Sequence, residues 1–164
     1  MLDHFRTFAR YIRWANAILY DAAADLSATD YFADRGAFFG SLHGTLNHVL
    51  AGDRIWLKRI TGEGEAPPRL DGILAEDLAG LRAAREAEDA RIVAVVDGMD
   101  PAALDGMLHY RTVAGRPQAE PLAQVLAHLF NHQTHHRGQA SAILTGLGRP
   151  APEMDLIFFL RQAG

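Results

Sequence analysis

The sequence predicts an all-α protein built as a four-helix bundle. Four stretches carry apolar residues at helical spacing, and glycine- and proline-rich segments separate them. Of the 164 residues, 49% are hydrophobic and 22% are charged, a composition typical of a soluble globular domain. We therefore expect residues 1–164 to form one domain in which the four helices share a core.

The first predicted helix covers about residues 2–26, and helix-breaking residues follow it in the segment 27–36. Its apolar stripe consists of Phe5, Phe8, Ile12, Ala15, Leu19 and Ala22. The second predicted helix covers about residues 39–61. Its stripe consists of Leu42, Leu46, Val49, Trp56 and Ile60, and it is ended by Gly62, Gly64, Pro67 and Pro68.

The third predicted helix covers about residues 73–96 and is stopped by the segment 97–101. Its seam consists of Leu74, Leu78, Leu81, Ile92 and Val95. Arg85 and Glu88 interrupt that seam, and two interpretations remain open. The two side chains pair with each other at i,i+3, or they reach into a polar pocket.

A β-hairpin is predicted over residues 106–118, because apolar and polar residues alternate around an Ala-Gly turn. The fourth long helix begins after Pro121 and ends near Gly146 or Gly148, and a short apolar helix covers about residues 154–160. The connections after the first and third helices are long, so a simple up-down-up-down order is not required.

Two histidines lie on the apolar face of the fourth helix. On a helical wheel, His132 and His136 fall in the middle of that face, whereas His135 points away and His128 lies at the edge. The rest of the face consists of Leu122, Val125, Leu126, Leu129, Ala140, Ile143, Leu144 and Leu147. Two imidazoles at i,i+4 can share a metal ion. In the alternative interpretation, both are core histidines without a metal. Their ring nitrogens would then be hydrogen-bonded to backbone groups or carboxylates, because a buried polar group without a partner costs roughly 1–3 kcal/mol.

A third ligand has to come from another helix, and His48 is the best candidate. It lies in the middle of the second helix beside the small residues Thr45 and Gly52, which leave room for a metal and a substrate. We predict that the other three histidines, His43, His4 and His109, are solvated.

Other metal-site patterns fit less well. The sequence has no His-Glu-x-x-His, which excludes a zincin, and no Glu-x-x-His, which excludes the di-iron bundle pattern. Three neutral histidines without a carboxylate suit Zn²⁺, Ni²⁺ or another late first-row ion. Three protein ligands leave positions open, as in a catalytic site.

Two segments of the chain resemble the signatures of a known family. Residues 41–56, SLHGTLNHVLAGDRIW, resemble the second-helix signature of DinB-family (DinB/YfiT-like) proteins, and residues 128–139, HLFNHQTHHRGQ, resemble their last-helix signature. The resemblance implies an up-down-down-up four-helix bundle. It also implies a metal held by one histidine of the second helix and a His-x-x-x-His pair of the last, positions that match His48, His132 and His136.

Relatives in that family include thiol S-transferases that use mycothiol, bacillithiol or glutathione, and a maleylpyruvate isomerase. The resemblance therefore implies an enzyme that activates a low-molecular-weight thiol for attack on a small electrophile. Metal-dependent hydrolysis is one alternative, and a non-catalytic metal-binding dimerisation module is another. Asp53 is the nearest candidate base for hydrolysis, although we favour a buried salt bridge to an arginine such as Arg54 or Arg13. Arg137 and Gln139 could serve the site mouth or a dimer contact.

Several partner classes are disfavoured. The formal charge is −4 and no basic run is present, which argues against nucleic acid. The absence of cysteine excludes disulfides and thiolate ligands. No secretion signal or membrane-length apolar run is apparent, so we expect a cytoplasmic protein that does not bind membranes. The apolar segment Ile157–Leu160 predicts a homodimer surface, or it packs back onto the bundle.

Overall fold

A computed structural model describes residues 1–162 and confirms an all-α bundle with a small antiparallel hairpin. The elements in chain order are α1 (Leu2–Ala24), α2 (Ala28–Phe32), α3 (Leu42–Thr61), α4 (Leu78–Asp97), a 3-10 helix (Pro101–Asp105), β1 (Met107–Arg111), β2 (Pro117–Pro121), α5 (Leu122–Gly146) and α6 (Leu156–Gln162). Among the described residues, no helix combines the length and apolarity needed to cross a membrane.

The four long helices follow an up-down-down-up course. Side-chain contacts at two levels of each seam show that α1 and α4 are antiparallel, α3 and α4 parallel, and α3 and α5 antiparallel. The contact pairs are Arg10–Asp97 and Asp21–Arg82 for the first seam, Asp53–Arg85 and Thr61–Arg91 for the second, and Trp56–His128 and His48–His136 for the third. This course sets α3 beside α5 and confirms the topology that the resemblance implied.

The predicted helix starts were wrong by a few residues where a capping side chain fixes the boundary. The second long helix begins at Leu42 rather than near residue 39, because the Ser41 hydroxyl accepts from the Gly44 amide at 3.0 Å. The third begins at Leu78 rather than near residue 73, because Asp77 caps the Gly80 amide. The predicted breaker segment also contains α2, which Ser27 caps.

The C-terminal helix α6 packs partly back onto α1. The Phe159 ring lies 6.0 Å from Tyr11 and 5.8 Å from Trp14, measured between ring centroids. Ile157 and Leu160 on the same helix remain 49% and 43% exposed. One of the two predicted roles of this helix is therefore realised in part, and the homodimer stays a prediction.

A buried polar layer divides the core into two apolar clusters. It contains a residue from every long helix: Asn16 of α1, Asp53 of α3, Arg85 and Asp89 of α4, and Gln133 and Arg137 of α5. Leucines and aromatic residues fill the core on both sides of this layer. Buried polar groups are tolerated when they are hydrogen-bonded to one another.

The ion pairs within this layer correct one expectation and decide between two interpretations that the sequence left open. Asp53 does form a buried salt bridge, but its partner is Arg85, at 2.5 Å, and not Arg54 or Arg13. Arg85 also pairs with Asp89 at 2.9 Å, whereas Glu88 contacts Arg54 and Arg91. Arg85 and Glu88 therefore do not pair with each other, and Arg85 reaches into the polar interior.

Candidate metal centre

Three histidines from two antiparallel helices meet at the α3–α5 seam. His132 and His136 lie one turn apart on α5, and His48 faces them from α3. The His48 Nε2 atom is 3.1 Å from the Nε2 atoms of both His132 and His136. One nitrogen from each ring lies within 4.8 Å of the others, so the three could hold a metal ion.

Hydrogen bonds at the outer ring nitrogens fix which nitrogens are free. The His48 Nδ1 lies 2.8 Å from the Leu70 carbonyl oxygen, which can only accept, so this nitrogen carries the proton. The His136 Nδ1 lies 2.8 Å from the Gln139 side-chain oxygen in the same way. Neutral rings in these tautomers point two Nε2 lone pairs at each other, and a shared cation resolves that repulsion.

The spacing of the nitrogens agrees with a metal. Ligands about 2.0–2.1 Å from a tetrahedral ion lie about 3.3–3.4 Å apart. The two Nε2 to Nε2 distances of 3.1 Å approach this value. The donor set therefore fits a small divalent ion that accepts three imidazoles.

Burial keeps the three rings neutral. It lowers the pKa of His48 and of His136 below the usual value, and it lowers the pKa of His132 to about 3, where the neighbouring imidazoles His136 and His48 add to the effect. Neutral imidazole is the form that binds metals. The site is therefore deprotonated at neutral pH without help from a carboxylate.

Gly52 makes room for His132. A Cβ atom at position 52 would lie 2.9 Å from the Cε1 of His132, closer than carbon atoms normally approach. The sequence analysis placed Gly52 beside His48 as a small neighbour, and the structure shows that its lack of a side chain serves the ligand on the opposite helix. Thr45, the other small neighbour, is buried and donates its hydroxyl to the Ser41 carbonyl.

An open cavity of about 530 Å³ lies against the histidines. Its polar and apolar walls are Phe38, Phe39, His48, Leu70, Asp71, His135, His136 and Gln139. The Phe39 ring stacks on His48 with ring centroids 3.8 Å apart. The site therefore has one side closed by helices and the other side accessible to a small molecule.

The remaining histidines divide into exposed and buried ones. His4, His109 and His135 are exposed, in agreement with the sequence analysis. The prediction for His43 was wrong, because this residue is 6% exposed and its Nδ1 contacts the Tyr31 hydroxyl at 3.1 Å. The partner belongs to α2, which the sequence analysis did not anticipate.

Arg137 and Gln139 take different places. Gln139 lies at the site mouth, lining the cavity and bonding His136. Arg137 is buried on the other face of α5, where it donates to Gln133 at 3.2 Å and lies over the Tyr11 ring. A role for Arg137 at the mouth or in a dimer contact is therefore wrong.

Two contributors to the site were missed from the sequence. Leu70 acts through its backbone carbonyl, which no side-chain pattern reveals, and Phe39 acts by stacking. A weak signal existed for Phe39, since Phe38 and Phe39 are paired aromatics in a short connection of small and polar residues just before the capping Ser41.

Substitution of Gly52 by alanine should weaken metal binding without unfolding the protein. The added methyl group displaces the His132 imidazole, whereas alanine is intrinsically more stable than glycine in a helix by roughly 0.5–1 kcal/mol. We expect a loss of about 10–100-fold in metal affinity, similar to other changes that misorient a ligand. Competition with a fluorescent chelator measures it.

Gly138→Ala is the matched control, because a Cβ at this α5 position meets nothing within 4 Å. It should keep the wild-type affinity. Equal affinities of wild type and Gly52→Ala would contradict the role assigned to the 2.9 Å contact.

Comparison with known proteins places the whole chain in one group. The model of the DinB family matches residues 1–163. Protein DinB of Bacillus subtilis (strain 168) is 23% identical over 169 residues, an alignment that covers 98% of this chain and 95% of that protein.

Proposed function

Because the chain belongs to the DinB family, we propose that it is a metal-dependent S-transferase that joins a low-molecular-weight thiol to a small electrophile. The observation that carries the proposal is the convergence of three neutral imidazoles on one point beside an open cavity. Zn²⁺ or Ni²⁺ is the proposed ion, since both accept all-nitrogen ligand sets. Glutathione, bacillithiol and mycothiol are cytoplasmic thiols, so the proposed reaction takes place in the cytoplasm.

Each part of the site has a role in this reaction. His48, His132 and His136 hold the ion, and the Leu70 carbonyl and Gln139 keep two of these rings oriented. A divalent ion supplies Lewis acidity that lowers the pKa of a coordinated thiol.

The cavity walls bind and shield the electrophile. Phe38, Phe39 and Leu70 form an apolar surface next to the histidines, and Gln139 and His135 supply hydrogen-bonding groups. Phe38 is 86% exposed, which leaves its face available to a substrate. An apolar wall also limits access of water, which would otherwise compete with the thiol.

Hydrolysis is less well supported, because neither Asp53 nor Asp71 is a suitable base. Asp53 is fully buried in the polar layer and accepts from Arg85 and Gln133. Asp71 does line the cavity, but the hydrogen bond from Arg69 is the largest effect that lowers the pKa of Asp71, to about 2. A carboxylate with so low a pKa is a weak base at neutral pH.

The metal-loaded protein should conjugate at least one of glutathione, bacillithiol and mycothiol to a model electrophile such as 1-chloro-2,4-dinitrobenzene. Product formation is followed by absorbance and mass spectrometry. We expect the rate to fall to the uncatalysed level after chelation and to return when the ion is added back.

Circular dichroism of the chelated protein separates catalysis from a purely structural metal. Retention of helix after chelation, together with loss of conjugation, supports the enzyme. Collapse of the fold on chelation would favour a structural ion instead. Absence of metal-dependent conjugation with all three thiols would contradict the S-transferase proposal.

A further inference from the structure

A second cavity, of about 510 Å³, lies where the end of α3 meets the β-hairpin and the segment that follows α3. Three cationic side chains, Lys58, Arg59 and Arg111, line it, together with the apolar surfaces of Pro67, Pro68 and Val113. The chain as a whole carries a formal charge of −4. Three cations around one cavity are therefore a local reversal of the overall charge.

Arg59 packs against two aromatic rings. Its guanidinium carbon lies 4.5 Å from the Trp56 ring centroid and 4.6 Å from that of Tyr110. The two rings stand at 68° to each other with centroids 5.2 Å apart, so the guanidinium lies beside the corner that they form. Its planar fork of N–H donors matches a carboxylate or phosphate. Arg59 is thus positioned by two cation–π contacts, and neither contact pairs its N–H donors with an acceptor oxygen.

The three cations have no acidic partner within ion-pair distance in residues 1–162. The Arg111 side chain donates to the Gly115 carbonyl, in the hairpin turn. Glu120 of β2 interacts electrostatically with Arg59 without forming an ion pair. It lines a neighbouring cleft together with Trp56 and Tyr110. Partial burial of Arg59 strengthens any hydrogen bond that it donates to an anion.

We propose that this cavity binds a small molecule that carries a carboxylate or phosphate group. Arg59 is the bidentate donor, and Lys58 and Arg111 supply the surrounding positive potential. The volume lies within the range of about 300–1,000 Å³ that is usual for small-molecule sites.

The cavity is separate from the metal centre, since α3, the segment after α3 and the hairpin line it and α5 does not. The His128 ring stands between them, 5.1 Å from Trp56 and 5.8 Å from His132. The inference goes beyond the proposed S-transferase and does not depend on it, because oxyanion binding by Arg59 requires neither the metal nor the reaction.

Titration of the purified protein with inorganic phosphate and, separately, with succinate tests the proposal. Calorimetry and tryptophan fluorescence report binding, since Trp56 stacks on Arg59. We expect saturable binding of at least one probe and none of succinamide, the uncharged analogue. The phosphate and succinate arms decide which oxyanion the site prefers.

Arg59→Gln should weaken binding by roughly tenfold or more, because charge-assisted hydrogen bonds are lost. Arg59→Lys keeps the charge without the planar fork and should fall between Arg59→Gln and wild type. Arg13→Gln is the matched control, since it removes the same charge from an exposed arginine of α1, diagonally across the bundle from α3. Circular dichroism checks that each variant is folded.

Binding that persists in Arg59→Gln would overturn the proposal, because it would place the anion elsewhere, for instance at the metal. An equal loss in Arg13→Gln would also overturn it, since it would indicate general charge attraction. Absence of saturable binding of both probes would do the same.

Discussion

Replacement of His136 by alanine should abolish stoichiometric metal binding. The wild-type protein, purified without a polyhistidine tag and loaded with Zn²⁺ or Ni²⁺, should hold close to one ion per chain by elemental analysis. His136 supplies one of three nitrogens that meet at the site, and its removal leaves two ligands. We expect the loss of metal affinity to exceed the roughly 10–100-fold that is typical when a residue hydrogen-bonded to a metal ligand is replaced.

His135→Ala is the control for His136→Ala, because the two residues are neighbours on α5 but only His136 points into the seam. His135 is exposed and contacts the Gln139 amide nitrogen at 3.2 Å. Its removal should change metal affinity only slightly. Equal losses in the two variants, or wild-type loading of His136→Ala, would contradict the assignment of the ligands.

Helical periodicity was enough to place His132 and His136 together. A rotation of 100° per residue sets residues at i and i+4 on one face and turns His135 away, whatever the rest of the chain does. The same periodicity identified the four long helices, since a continuous apolar face of about twenty residues has few other solutions. These parts of the fold depend on local spacing, which the sequence contains directly.

The missed parts depend on contacts between distant segments. The partner of Asp53 is Arg85, 32 residues away on α4, and the choice among several arginines depends on the relative rotation of two helices. The Leu70 carbonyl reaches His48 from a connection with no regular structure. Helical periodicity predicts neither the partner of Asp53 nor the hydrogen bond between Leu70 and His48. Helix starts were misplaced for a related reason, since the caps Ser41 and Asp77 override the apolar pattern at its ends.

The polar layer lies at the level of the bundle where the metal ligands are held. Gln133 follows His132 directly and donates to Asp53 at 2.7 Å, while Asp53 follows Gly52. Asn16 of α1 donates to Asp89 and to Gln133. These bonds fix the register of α3 against α5, and that register brings Gly52 opposite His132. The buried charges therefore support the geometry of the candidate site as well as the fold.

Arg85→Met should be the most destabilising substitution in this layer, lowering the free energy of unfolding by about 3–5 kcal/mol. Arg85 is 2% exposed and neutralises two buried carboxylates, Asp53 and Asp89. Methionine fills much of the volume but leaves both carboxylates without their ion-pair partner, and Arg137 acts on them only from a longer distance. Urea unfolding followed by circular dichroism measures the change.

The deficit of Arg85→Met should be smaller at pH 5 than at pH 8. Burial raises the pKa of Asp53 and of Asp89, and Arg85 opposes that rise in the wild-type protein. Removal of Arg85 raises both pKa values further, so the folded variant binds protons more tightly than the folded wild type and gains more stability as the pH falls from 8 to 5. Arg82→Met on the same helix removes exposed ion pairs to Asp21 and Glu86 and should cost no more than about 1 kcal/mol. A wild-type urea midpoint for Arg85→Met at pH 8 would contradict this prediction. It would show that Asp53 and Asp89 are neutral in the native state, so that hydrogen bonds rather than charges stabilise the polar layer.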